Sequence, residues 1–411
     1  MTDLLIRDLA QVATPGGSGG PLRGAGLRDV RVVEDAYVLC CDSRVESVGR
    51  MADLRPHIAA GVEEIDGRGL CAIPGLVDCH THACFGGDRV DEFSLRAGGA
   101  SYEELHAAGG GILSTVRATR AADERELAQI TVRHRSQMRA HGTTTFEGKS
   151  GYGLDHDTEL TQLRAVRAAG GVPTWLGAHT VPPEFADADT YLDFLLVEVL
   201  PEAVELAEAA DVFLERGSFD AAQARRYLEA CSAAGLALRL HGDQFTESGA
   251  IALAIDLGAR SVDHLEATGA RGVSALAASE VTGVLLPASA LFLDRPMPPA
   301  RALADAGGLI ALATDFNPGS AFCNSLPLVL SLACTQLHLA PEEALVAATV
   351  NAAHVLDRAD RIGRISPGFA ADIVLLEAPD WRHVAYHLAG DVVHTVIEGG
   401  AVMFRRTAYS T

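Results

Sequence analysis

Lysine is almost absent from this chain of 411 residues: of 33 basic residues all but one are arginine, and the exception is Lys149. Aromatic residues are scarce too, at 5%. No apolar run reaches the roughly 20 residues that a membrane-spanning helix needs; Val281 to Leu293 falls short and is interrupted by Thr282, Pro287 and Ser289. The first residues set Asp3 and Asp8 around a short apolar patch, which does not read as a secretory signal. Positive charge is outweighed, with 54 acidic residues and a formal net charge of −21. That balance disfavours nucleic acid or an anionic membrane surface as partner, since both need a basic footprint. A locally positive pocket for a small anion is still allowed. Eight cysteines form no C-x-x-C pair and no disulfide-like spacing, so reduced thiols and a cytoplasmic location are expected.

What is present is a repeat of strand and helix. The two ends are β-rich: Val30 to Val33 and Tyr37 to Leu39 near the start, Ala371 to Leu376 and Val392 to Ile397 near the finish, with residues 16–26 as a glycine-rich loop. Short strands are expected in residues 1–70, and no helix of three turns. Between the ends, apolar β-type runs fall at Ala72–Val77, Thr143–Glu147, Val172–Ala178, Asp211–Glu215, Leu236–His241, Ser261–Leu265, Gly283–Pro287 and Leu309–Thr314. Alanine-rich helical stretches such as Asp220–Ala234 and Glu247–Leu257 separate them. Eight strands, each followed by helical sequence, argue for an α/β chain with a (β/α)8 TIM-type barrel over residues 71–357. The termini, residues 1–70 with 358–411, are expected to pair into one small β-sandwich domain. An open doubly wound sheet is the alternative fold, but no G-x-G-x-x-G loop opens any unit.

The barrel reading matters because such enzymes place their chemistry at the C-terminal ends of the strands. The first strand runs into His80-Thr-His82, two imidazoles on one face at the end of an apolar run. The third ends at His179, the fifth at His241 with Gln244 just beyond, the sixth at His264, and the eighth at Asp315, followed by Asn317, Gly319 and Ser320. Neutral imidazoles with a carboxylate suit Zn²⁺, or Fe²⁺ as second choice, and ionise water near neutral pH. The expected reaction is metal-assisted hydrolysis at a carbonyl or amidine-like carbon. His106, His134, His141, His156, His338, His354, His383, His387 and His394 fall mostly in helical or loop stretches and are read as surface or structural. Lys149 lies in the dense stretch Phe146 to Leu154, where a compact point charge rather than a planar fork is required.

Pro74-Gly-Leu-Val-Asp before His-x-His, the strand-five His and the strand-eight Asp resemble the amidohydrolase superfamily, as does Gly363-x-Ile365…Pro367-Gly368…Ala371-Asp372 near the end. Further stretches narrow the resemblance: Phe85-Gly-Gly-Asp-Arg89, residues 109–120, residues 149–155, residues 177–183, Asp263-His-Leu-Glu266 and residues 313–320. They are similar to the cyclic-amide hydrolases of histidine degradation and cover roughly residues 70 to 370. The resemblance implies hydrolysis of the ring C–N bond of 4-imidazolone-5-propanoate to N-formimidoyl-L-glutamate. It implies one Zn²⁺ or Fe²⁺/³⁺ held by His80, His82, His241 and Asp315. It places Arg89, Tyr152, His179, Asn317, Gly319 and Ser320 on the substrate, and Asp315, His264 and Gln244 in the chemistry. The implied partner is that small molecule, and a homodimer is compatible with it.

Two small residues, Ala83 and Gly148, stand where bulkier aliphatics are expected. Gln244 stands where some relatives carry glutamate, and an amide accepts no proton, so proton transfer is expected to pass to Asp315 or His264. The same glutamine argues against a nucleobase-type deaminase, which needs His-x-x-Glu on strand five. A non-enzymatic barrel would predict eroded ligands, and none is missing. A two-metal centre bridged by a carboxylated Lys149 is the remaining variant.

Overall fold

The computed structural model describes residues 3–17, 19–55, 62–99 and 110–406. His106 lies outside them. The chain begins with β1 (Leu4–Pro15), β2 (Val30–Cys41), β3 (Arg44–Arg50), β4 (Glu63–Asp66) and β5 (Cys71–Pro74). It then enters β6 (Leu76–Asp78), β7 (Thr143–Lys149), β8 (Val172–Ala178), β9 (Ala209–Leu214), β10 (Ala237–Gly242), β11 (Ser261–His264), β12 (Thr282–Leu285) and β13 (Ile310–Leu312). It closes with β14 (Ile373–Leu376), β15 (Val393–Glu398) and β16 (Ala401–Arg405).

Strands β6 to β13 form a sheet in strict chain order, every pair parallel, with helices between them. This is the expected (β/α)8 architecture. The helix expected over Asp220–Ala234 runs Ala221–Ala233, its first turn closed by a capping box between Asp220 and Gln223. The one expected over Glu247–Leu257 begins only at Ala250, after Gly249.

The remaining strands come from both termini and make one mixed sheet, β16-β15-β14-β5-β1-β2-β3, with β4 also on β1. Its strand β1 forks: residues 4–7 pair with β4, and Gln11 and Val12 with β5. Leu4, Ile6, Leu9, Val38, Ala72, Ile373 and Ile397 share one core beneath it. The sandwich expected from the two ends is thus one branched sheet over its own core.

Two details differ from the sequence reading. β1 and β2 are each 12 residues long, not short. Asp8 and Asp35 both take left-handed backbone, φ 57° and 47°, and the β1–β2 register slips between Ile6 and Leu9. That bulge breaks the alternation of apolar and polar residues, so one long strand reads as two short ones. The single strand expected over Ala72–Val77 is also two. β5 pairs with β1 and β14, whereas β6 pairs with β7 in the barrel.

Candidate metal centre and active site

The barrel sheet closes between β13 and β6, and the stitching lies among the site residues. The amide of Asp315 donates to the carbonyl of His80 at 3.1 Å, and that of His82 to the carbonyl of Phe316 at 2.9 Å. Just below, the buried Asp78 carboxylate accepts the Thr314 amide at 3.1 Å and its hydroxyl at 2.7 Å. Asp315 and His264 both sit at positive φ, 54° and 83°. Left-handed backbone costs a non-glycine residue energy, and such strain persists where the surroundings fix it.

His80, His82, His241, His264 and Asp315 converge here and are all buried. His80 Nε2 lies 3.5 Å from Asp315 Oδ1 and His82 Nε2 lies 3.6 Å from the same oxygen. His82 and His241 bring their Nε2 atoms within 3.4 Å of each other. Ligand atoms of His80, His82 and Asp315, and of His80, His241 and His264, lie close enough to share one ion. His80 Nε2 is buried with no hydrogen-bond partner. Such an orphan is costly unless something binds it.

Behind these atoms lies a ring of carboxylates. His80 Nδ1 lies 2.5 Å from Asp263 Oδ2, and His241 Nδ1 lies 3.0 Å from Asp211 Oδ1, which also accepts the His241 amide at 3.1 Å. A carboxylate on Nδ1 fixes the tautomer that turns the Nε2 lone pair inward. Burial, helped by neighbouring imidazoles, pulls His241 down to about 4 and His179 down to about 3, so both rings are neutral donors. Burial and the Lys149 ammonium oppose charge on His80, yet Asp263 and Asp315 overcome them and raise it to about 9. The place between those two carboxylates demands a cation, which a metal ion supplies while leaving His80 neutral.

Lys149, fully buried, places Nζ 2.7 Å from Asp211, 3.0 Å from Glu147 and 3.8 Å from Asp263. Burial opposes its charge, but the three carboxylates prevail and raise its pKa. Three carboxylates around Nζ suit an ammonium, whereas a carboxylated lysine would set a fourth negative group among them. Arg239, also buried, pairs with Glu147. Glu147, Asp211 and Asp263 thus face Lys149, Glu147 also faces Arg239, and Asp315 faces His80 and His82.

Tyr152 and His179 form one wall of the site. The His179 ring stacks on His82, with centroids 5.3 Å apart and 21° between planes, and its Nδ1 lies 2.9 Å from the Gly151 carbonyl. Tyr152 is buried, with its centroid 5.7 Å from that of His82 and 5.5 Å from that of His179. Their loop is fixed by Glu159, whose Oε1 accepts the amides of Gly151 at 3.0 Å and of Gly153 and Leu154 at 2.9 Å each. Opposite stands Arg89, held side-on by Glu92: Nε donates at 2.9 Å and Nη2 donates to the other oxygen. The end-on edge, Nη1 with Nη2, has the fork geometry that a second carboxylate takes. A Cβ at Gly319 would stand 2.0 Å from Arg89 Nη1, so a side chain there displaces the guanidinium.

Asn317 spends its amide within its own loop. Its Nδ2 donates to the Asp315 carbonyl at 2.6 Å and to Ser320 Oγ at 2.7 Å, and its Oδ1 accepts the amides of Gly319 and Ser320. Ser320 Oγ in turn donates to Asp315 Oδ2 at 3.1 Å. Gln244 is buried in the turn after β10, and Glu215 anchors that turn by accepting the amides of Phe245 at 2.8 Å and Thr246 at 3.1 Å. His264 Nδ1 lies 3.4 Å from Glu266.

His80, His82, His179, His241, His264 and Asp315 therefore come together around one centre, with Asn317, Gly319 and Ser320 in the loop after Asp315 and Gln244 buried in the turn after β10. The two small residues have reasons as well. Ala83 is fully buried, with its carbonyl 2.8 Å from Nδ1 of the buried His134, and a Cβ at Gly148 would stand 2.6 Å from Val166. Sequence reasoning missed Asp211, Asp263, Glu92, Glu159 and Glu215 as supports of the site. The signal was there for the first two: an acid inside or ending an apolar strand is a buried charge that must have a partner.

The chain belongs to the amidohydrolase family, whose model matches residues 71–402; it is a family of metal-dependent hydrolases. Within it, the chain is similar to the imidazolonepropionase of Rubrobacter xylanophilus, 60% identical over 98% of this chain and 99% of that one. It is similar also to the imidazolonepropionase of Chloroflexus aggregans, 45% identical over 98% of each. Among solved structures, a triazine hydrolase variant superposes with a TM-score of 0.74 at 18% identity, covering 98% of this chain and 95% of that one. A guanine deaminase from C. acetobutylicum gives 0.72 at 14%, covering 98% and 100%. At such low identity these two speak for the fold alone. No helix among the described residues is long and apolar enough to cross a membrane.

Proposed function

We propose that this chain hydrolyses the ring C–N bond of 4-imidazolone-5-propanoate, giving N-formimidoyl-L-glutamate. The observation that carries this reading is Arg89, clamped by Glu92 and lying against Gly319 of the loop that follows Asp315, next to the convergent imidazoles. A hydrolase of a ring bearing a carboxylate tail needs such an anion clamp next to its reacting centre. The similarity to imidazolonepropionases along nearly the whole chain supports the same substrate.

The ligands in this reading are His80, His82, His241 and Asp315, holding one Zn²⁺ or Fe²⁺ per chain. When bound, that ion supplies Lewis acidity toward water and the ring carbonyl. Arg89 takes the propanoate end-on. Tyr152 and His179 flank the ring, while Asn317 and Ser320 hold the Asp315 loop to the contour of the substrate. Water adds to the carbonyl carbon, the C–N bond breaks, and the ring nitrogen leaves with a proton. Asp315 and His264 manage that proton, because the amide of Gln244 has no usable pKa; Gln244 orients the substrate. A deaminase of a nucleobase-like ring, the alternative activity, would need a carboxylate at that position.

This reading takes residues 71–357 as the catalytic barrel and residues 1–70 with 358–411 as its terminal β unit. A cytoplasmic location with eight reduced cysteines fits it, as does a homodimer, which sedimentation would test. The deciding experiment incubates metal-loaded protein with 4-imidazolone-5-propanoate and follows its loss and the appearance of formimidoylglutamate. Absence of turnover in protein carrying one equivalent of Zn²⁺ or Fe²⁺ would overturn the substrate. Two bound ions per chain would overturn the mononuclear centre.

A further inference from the structure

The one lysine of the chain is far from solvent and touches no presumed substrate group, so it serves something else. Its Nζ lies 2.7 Å from Asp211 and 3.8 Å from Asp263. Those two carboxylates come from β9 and β11, the strands on either side of β10. Each grips the Nδ1 of a different imidazole, Asp211 that of His241 and Asp263 that of His80. We infer that Lys149 is a positioning residue for the metal centre, a single buried ammonium that holds both histidine-orienting carboxylates in place. The inference rests on the reading of His80 and His241 as metal ligands.

The geometry explains why arginine is not found here in a chain that otherwise uses it almost throughout. Asp211 and Asp263 are reached from one point, as a compact ammonium with three donors allows, whereas a planar guanidinium directs its donors in one fixed fork. Arg239 sits next door and already uses that fork on Glu147, Thr174 and the Val355 carbonyl. Without Lys149, Asp211 and Asp263 lose the ammonium that both face, and an imidazole is oriented less firmly by a carboxylate that has lost its own support.

The test uses the full chain, stripped of metal and titrated with Zn²⁺ against a chromophoric chelator. Loss of an outer-shell partner weakens metal binding about 10- to 100-fold, and that range is expected for Lys149→Met. Lys149→Arg should weaken it as well and shift the visible spectrum of the Co²⁺-loaded protein. Leu228→Ala, a destabilising change in the buried face of the helix Ala221–Ala233, should leave affinity and spectrum unchanged. Folded Lys149→Met binding Zn²⁺ within twofold of the parent overturns the inference. His80→Ala separates the two readings: if it loses Zn²⁺ while Lys149→Met keeps it, only the role of the lysine falls. If His80→Ala also binds as the parent does, the ligand assignment falls first. Should Lys149→Met not fold, Lys149→Gln is titrated with the same thresholds. Failure of all three lysine variants to fold with Zn²⁺ supplied overturns the inference, since the ammonium would then serve the barrel alone.

Discussion

The amide of Asp315 donates to the carbonyl of His80 across 3.1 Å, so two proposed metal ligands are also the stitch that joins the last barrel strand to the first. One residue earlier, Thr314 closes the same seam on Asp78. Seam and site therefore share residues.

Thr314→Val tests that sharing. It keeps the shape of the side chain but removes the hydroxyl that Asp78 accepts at 2.7 Å. A buried carboxylate left short of a donor costs about 1–3 kcal/mol. The expected result is a lower Tm together with weaker Zn²⁺ binding. A lowered Tm with unchanged Zn²⁺ affinity would separate seam from site.

Gly319 should be as important as Arg89 itself. Gly319→Ala puts a methyl where Nη1 of Arg89 lies, at 2.0 Å, so the guanidinium must move. Arg89→Lys keeps the charge and loses the fork, and a charge-assisted hydrogen bond is worth roughly 1.5–3 kcal/mol. Both variants should lose about 10- to 100-fold in kcat/KM with metal content retained. Steady-state kinetics on metal-assayed protein check this, and an unchanged kcat/KM in Arg89→Lys removes the carboxylate clamp.

His264 and Gln244 should part company kinetically. General acid–base groups contribute typically 10²–10⁴-fold, and a positioning amide much less. His264→Ala is expected to lower kcat by at least about 100-fold with metal retained, whereas Gln244→Glu should keep substantial activity. A near-normal His264→Ala beside a dead Gln244→Ala would reverse the two roles.

The cysteines set an alkaline limit on stability. Burial pushes the thiols of Cys71 and Cys231 up to about 12, from an ordinary 9. Above pH 9 the unfolded chain loses these protons while the folded chain keeps them, so stability falls as pH rises from 9 toward 12. Each such thiol contributes a slope of about 1.4 kcal/mol per pH unit in that window. Urea unfolding at pH 8, 9 and 10 should show the decline, and the double variant Cys71→Ala, Cys231→Ala should show a shallower one.

Much of the barrel is legible in the sequence because its strands are buried on both faces and end on histidines. Val172–Ala178 appears as expected, and the other barrel strands shift by a residue or two, apart from the first, which splits at Gly75. The terminal sheet is harder to read. Its bulge at Asp8 and Asp35 erases the two-residue period, and β5 hands the chain from one sheet to the other within a single apolar run. At the centre, residue types announce ligands but not their supports. Asn317 looks like a donor for substrate, yet all its hydrogen bonds lie within its own loop. Spacing cannot reveal such closure, because it depends on where the loop folds back.

Sealing the one lysine inside the barrel also settles how amine chemistry meets this protein. Reducing sugars, acylating metabolites and enzymes that tag ε-amino groups find no side-chain amine on the folded chain, because Nζ of Lys149 is wholly buried among carboxylates. Only a molecule whose barrel has opened offers one. A lysine-directed mark on this protein is therefore a record of unfolding.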